Sequence, residues 1–199
     1  GEEIMNKKVV PILLAFLCMG FADAVGPFVG LAKAEFELSN FVAMLIPFMG
    51  FLMFGLLSVP MGIFQDKHSK KTTLIVGLLI ALIGLSIPIF GLSHFSLFLL
   101  TVLLLGAGAT ILQVAGNPIM RDVSQEGKYS RNLSIGQFVK AIGSLAGPVI
   151  PAVAAAWFGA DWKVIFPIFV GGILITLFSV LTTHVEESKE ADQEPTTFS

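Results

Sequence analysis

The chain has 199 residues, 55% of them hydrophobic and only 13% charged, with a mean hydropathy of +0.86, whereas soluble domains carry about a quarter charged residues. A net charge of -2 gives no basis for nucleic-acid binding, and a single cysteine, Cys18, excludes an internal disulfide. What remains is a membrane protein.

Crossing the hydrocarbon core takes about 20 mostly apolar residues, and six stretches meet that length: 9–31, 38–64, 72–92, 95–120, 132–157 and 163–183. The first runs well past the core of a signal peptide and has no small-residue cleavage site behind it, so it is expected to be retained as a span. None alternates like a barrel strand, and backbone in lipid must satisfy its own hydrogen bonds, so all six are predicted to be helices. Residues 1–8 and 185–199 flank the bundle of 9–184; the end of the chain, EESKEADQEPTTFS, is acidic, polar and expected to bury nothing.

In the first span, GFADAVGPF places Asp23 four residues before Pro27. Proline has no N–H, so the carbonyl of Asp23 loses its helical partner, and the carboxylate and carbonyl together make a seat for a proton, a small cation such as Na⁺, or a solute hydroxyl. Asp23 is the one carboxylate inside any of the six stretches. In the second span, Met44, Phe48, Phe51 and Leu52 share a face expected to turn towards lipid or a partner. In the fourth, Gln113 and Asn117 share a face, and Pro118 frees the carbonyl of Val114. In the fifth, Gln137 and Lys140 share a face. Glycine and proline recur through spans one, two, four and five, as close helix packing requires, and local breaks are expected where polar residues accompany proline, in spans one and four.

An ionisable residue in a span costs about 2.5–3.5 kcal/mol on insertion scales, so Asp23 and Lys140 both need compensation. Counting 1.5 Å per residue from the flanking basic residues puts Lys140 level with Gln113 and Asp23 about 9 Å higher, so a direct ion pair requires helix tilt and an extended lysine. Lysine and arginine in the connections divide nine to two, with Lys7, Lys8, Lys67, Lys70, Lys71, Arg121, Lys128, Arg131 and Lys189 on one side and Lys33 and Lys163 on the other. Both termini are therefore expected to be cytoplasmic.

Between spans two and three lies PMGIFQDKHSKK, residues 60–71. Gly62, Asp66, Lys67, Lys70 and Lys71 match the loop G-x-x-x-D-[RK]-x-G-[RK]-[RK] of the major facilitator superfamily, with Ser69 in place of its last glycine. The chain resembles the N-terminal half of such a transporter, a six-helix 3+3 inverted-repeat bundle. The loop can act as a cytoplasmic clamp, Asp66 pairing with Arg121 or capping a helix of the other half. Pro60, Ile63, AGNP at 115–118 and a glutamine, Gln137, ahead of G-x-x-x-G-P resemble the fucose, glucose and galactose to proton symporters.

That resemblance implies a monosaccharide or similar polar solute bound near the midplane between two halves, in a bacterial inner membrane, with alternating access by rocking. The candidate contacts are Gln113, Asn117, Gln137 and Lys140, with Asp23 as the coupling site for H⁺ or Na⁺. Where symporters of the fucose type carry a span-four glutamate, this chain has Gln113, which cannot take up a proton. Their span-one aspartate aligns near Gly26, and Lys140 stands near where they have a neutral asparagine. No cofactor is implied, and no H-E-x-x-H or G-x-S-x-G motif supports an enzyme. Superfamily transport needs two halves, so the chain is expected either to be a piece of a longer transporter or to pair with a copy of itself; as an isolated half it would bind solute or anchor in the bilayer without transport.

Overall fold

The computed structural model describes residues 7–187. Residues 1–6 and 188–199 lie outside the described residues, and with them most of both expected flanking segments. The first span is made of α1 (Val9–Asp23) and α2 (Val25–Glu35), the second of α3 (Asn40–Ala43) and α4 (Leu45–Lys67). The third is α5 (Lys70–Phe90), the fourth α6 (Phe95–Val123) and the fifth α7 (Tyr129–Phe158). A 3-10 turn, Trp162–Val164, leads into α8 (Ile165–Leu181), the sixth. All six expected spans are present, their ends displaced by a few residues, and no strand occurs among the described residues.

Spans one and two are interrupted at Ala24 and Met44, each three residues before a proline, Pro27 and Pro47. The proline ring supplies no N–H to the carbonyl four residues back, so the helical hydrogen-bond pattern is interrupted there while the backbone of Ala24 and Met44 stays in the right-handed helical region. The interruption expected in span four is absent: α6 runs unbroken through Pro118 to Val123. Pro60 in α4 and Pro148 and Pro151 in α7 are likewise carried within unbroken helices, so a proline alone does not interrupt a span.

The packing repeats itself. Helix α1 lies on α7, and α4 on α6; α5 lies on α6, and α1 on α8; α1 also meets α6, and α5 meets α8. Exchanging the first three spans for the last three maps this set of contacts onto itself, as a 3+3 repeat requires. Both the one–five and the two–four seams close through glycine. A Cβ on Gly20 would stand 2.2 Å from the carbonyl oxygen of Lys140, one on Gly143 would stand 2.3 Å from that of Leu17, and one on Gly106 would stand 2.9 Å from the Cα of Gly50. Only hydrogen fits at such distances.

Phe16, Phe28, Phe98, Phe166 and Phe169 are fully buried, and Phe21 stacks on Phe169 with centroids 4.1 Å apart. The expected outward face of span two is exposed at Met44, Phe48 and Phe51, while Leu52 is half-buried.

At the lysine-rich end, Ser69 adopts extended backbone and accepts a hydrogen bond from the Thr72 N–H at 3.0 Å, capping α5. This explains why serine serves in the loop's glycine position: the turn needs a cap there, not a left-handed residue. The start of the acidic tail is not idle, contrary to expectation. Glu187 accepts the backbone N–H of Lys70, and Val185 packs against the core.

Candidate functional site

Asp23 is the last residue of α1, its side chain half exposed at the interruption. The glycine seam sets its neighbours. The seam sets Gly20 level with Gly143 and Ala24 level with Gly147, so Asp23 stands about six residues, or about 9 Å, above Lys140 at 1.5 Å per residue. The lysine and aspartate side chains together close that gap. Lys140 Nζ lies 4.0 Å from Asp23 Oδ2, and the hydroxyl of Ser144 donates to the same oxygen at 3.3 Å. The seam thus gives the same separation as the depth count from the flanking basic residues, about 9 Å, and the pair forms across it at 4.0 Å.

Beside Asp23 opens a cleft of about 510 Å³ between spans one, two and four. Asp23 and Gly26 line it from the interruption, Pro47, Gly50, Phe51 and Phe54 from α4, and Gly106, Thr110 and Gln113 from α6. Its walls are largely apolar and aromatic, with the Asp23 carboxylate and the Gln113 amide as polar groups. The Thr110 hydroxyl is committed to the Gly106 carbonyl at 2.8 Å. An aromatic wall with a carboxylate and an amide suits a ring that carries C–H bonds on one face and hydroxyls at its edge.

Of the candidate contacts, Asp23 and Gln113 line the cleft; Lys140 is not a lining residue and faces the Asp23 carboxylate. Asn117 and Gln137 are exposed and are not among the lining residues. Ser144, Thr110 and the aromatic wall of Phe51 and Phe54 were missed from sequence. Ser144 carried a usable signal, being four residues from Lys140 on the same helix face.

The loop motif sits at the opposite end of α4 from the cleft. Gly62 lies near the end of that helix, and Asp66 and Lys67 are exposed. The Asp66–Arg121 pair is not formed: Arg121 lies over the Tyr129 ring, 4.8 Å from its centroid. The motif's buried ion pair is instead Lys70 Nζ to Asp122 Oδ2 at 2.7 Å, with the Asp122 side chain 1% exposed. Lys71 Nζ donates to the carbonyl of Thr183 at 2.6 Å. Spans three, four and six are thereby tied together at this end.

The six-span architecture, its internal repeat and this tie accord with the sequence match: a profile of the Major Facilitator Superfamily aligns with residues 12–198. The chain belongs to the Major Facilitator Superfamily. It is therefore an integral, multi-pass membrane protein of a transporter superfamily rather than an enzyme. It is 27% identical to a glucose/galactose transporter of Brucella abortus, over 98% of this chain and 50% of that protein. It is 26% identical to an L-fucose-proton symporter of Haemophilus influenzae, over 74% of this chain and 36% of that one. It is 30% identical to a putative glucose/galactose transporter of Helicobacter pylori, over 74% and 37%. The crystal structure of the superfamily transporter FucP in the outward conformation superposes with a TM-score of 0.69 at 20% identity, covering 94% of this chain and 53% of that one. The chain thus spans about half the length of the curated relatives it matches.

Proposed function

We propose that the chain is the N-terminal half of a proton-coupled symporter for a monosaccharide, working by alternating access in a bacterial inner membrane with both termini cytoplasmic. The observation that carries this is Asp23, a titratable carboxylate at a helix interruption, lining a cleft whose other walls suit a sugar ring. The names of the sugar transporters it resembles support the solute class, and the proton in the name of the L-fucose relative supports the ion.

Between H⁺ and Na⁺ the geometry favours H⁺. The Asp23 oxygen already faces the ammonium of Lys140, so a metal cation there would meet like charge across a few ångströms. A proton turns the carboxylate into a neutral carboxyl and meets no such repulsion. Gln113 then serves as a neutral donor and acceptor for solute hydroxyls, Asn117 and Gln137 as contacts reached in other conformations, and the Lys70–Asp122 tie as the rigid base against which the halves rock.

The test is uptake of labelled hexoses by proteoliposomes holding the chain joined to its C-terminal half, under an inward proton gradient or an inward sodium gradient. Uptake driven by protons and lost in Asp23→Asn is expected; uptake indifferent to both gradients, or unchanged in Asp23→Asn, refutes the coupling role. A second reading rests on the half-length match: the chain pairs with a second copy, or binds solute without moving it. Solute binding without uptake would favour it.

A further inference from the structure

Lys140 is the charged group whose contact with the solute the sugar-symport reading leaves undefined. Its ammonium stands 4.0 Å from Asp23 Oδ2, beyond hydrogen-bonding distance, and among the described residues that carboxylate is the one acidic group paired with it. Three-quarters of the side chain is buried. Asp23 lines the cleft, whereas Lys140 is not among its lining residues. The ammonium faces the Asp23 carboxylate at 4.0 Å, so a solute that binds beside Asp23 comes within a few ångströms of it.

The charges of a loading cycle decide what that solute is. At rest, carboxylate and ammonium neutralise each other. When a proton from solution binds the Asp23 carboxylate, the residue becomes a neutral carboxyl and Lys140 keeps a full positive charge at membrane depth, where an unpaired ion is costly. A neutral hexose leaves that charge standing in the loaded state. A monosaccharide bearing one carboxylate cancels it, placing its own oxygen against Lys140 where the Asp23 charge has been withdrawn. On the far side the proton leaves, the Asp23 carboxylate re-forms beside Lys140, and the solute's carboxylate is repelled from the cleft. Both the empty and the loaded states are then neutral.

We propose that the solute is a monosaccharide acid of the hexuronate type, with Lys140 as the residue that selects its carboxylate and Phe51 and Phe54 as the wall for its C–H face. This rests on the reading of Asp23 as the proton site and of the cleft as the solute site.

The test compares D-galactose with D-galacturonate, which differ only at C6, by isothermal titration into the purified chain at matched ionic strength. Galacturonate is expected to bind at least tenfold more tightly. Lys140→Gln should lose at least tenfold for the acid and less than threefold for galactose, while Lys140→Arg keeps the preference. Galactose binding as tightly as galacturonate to the unaltered chain overturns the proposal without reference to any variant, as does an acid affinity unmoved by Lys140→Gln. Galactose binding and Asp23-dependent uptake with no preference for the acid would sink this inference alone. No binding of either sugar would sink the solute reading as well.

Discussion

Replacing Gly20 with alanine is expected to loosen the seam on which the site depends. The added Cβ would stand 2.2 Å from the Lys140 carbonyl oxygen and 2.9 Å from both Gly143 Cα and Ser144 N, against about 3.5 Å for an ordinary nonbonded contact. All three neighbours are backbone, so no rotamer change relieves the clash, and α1 must move from α7 by roughly 1 Å. Overpacking of this kind costs typically 1–3 kcal/mol, reduced by the roughly 0.5–1 kcal/mol that alanine gains over glycine within a helix. For a chain of this size each 1 kcal/mol moves Tm by about 2–4 °C, so the net cost of roughly 0–2.5 kcal/mol lowers Tm by up to about 10 °C. Gly30→Ala is the control: nothing lies within 4 Å of its Cβ position, so Tm should hold or rise. Cys18 is the chain's single cysteine and is 2% exposed, so a thiol-reactive fluorophore reports unfolding directly during a thermal ramp in detergent. Gly143→Ala should behave like Gly20→Ala. The double variant should cost less than the two added together, because the same helices part once. Equal Tm values for Gly20→Ala and Gly30→Ala would refute the seam.

Three further outcomes follow from the same structure. Ser69→Ala removes the α5 cap and should cost about 0.5–2 kcal/mol, whereas Ser69→Gly should cost only a few tenths; the same thermal ramp separates them. Gln113→Leu should abolish measurable sugar binding by titration calorimetry while Thr110→Val leaves it nearly unchanged, because the Thr110 hydroxyl is already bonded to Gly106; equal losses would contradict this assignment of the cleft's polar groups. At the other end of the bundle, Glu35 pairs with Lys163 and accepts the Trp162 indole N–H at 2.9 Å, with both charged side chains about a third exposed. Glu35→Gln should therefore cost no more than about 1 kcal/mol, checked as a shift of a few degrees at most in the thermal ramp.

The spans were legible because lipid imposes a length and an apolar composition that can be read directly. The interruption at Ala24 was legible from Pro27, which cannot bond the Asp23 carbonyl. Proline alone does not decide a break, however: Pro60, Pro118, Pro148 and Pro151 lie inside continuous helices. Neither the continuity of α6 nor the interruption at Met44 before Pro47 was legible. The separation of Asp23 from Lys140 was legible by counting 1.5 Å per residue. That the two side chains meet across it depends on which faces of α1 and α7 Gly20 and Gly143 bring together, which counting along each helix does not show. Likewise the lysines of the loop motif were legible, but the partner of Lys70 was not. Asp122 lies next to Arg121 in sequence and on a different side of the helix, and only packing shows which of the two turns inward.

The central claim is that Asp23 takes up a proton when solute occupies the cleft. Its most direct test is proton uptake from weakly buffered solution on adding galacturonate, or galactose if that sugar is the one bound, to the purified chain, compared with Asp23→Asn. The account predicts uptake of up to one proton per bound solute in the unaltered chain and none in Asp23→Asn. The same uptake in both proteins, or solute binding with no uptake in either, would contradict it.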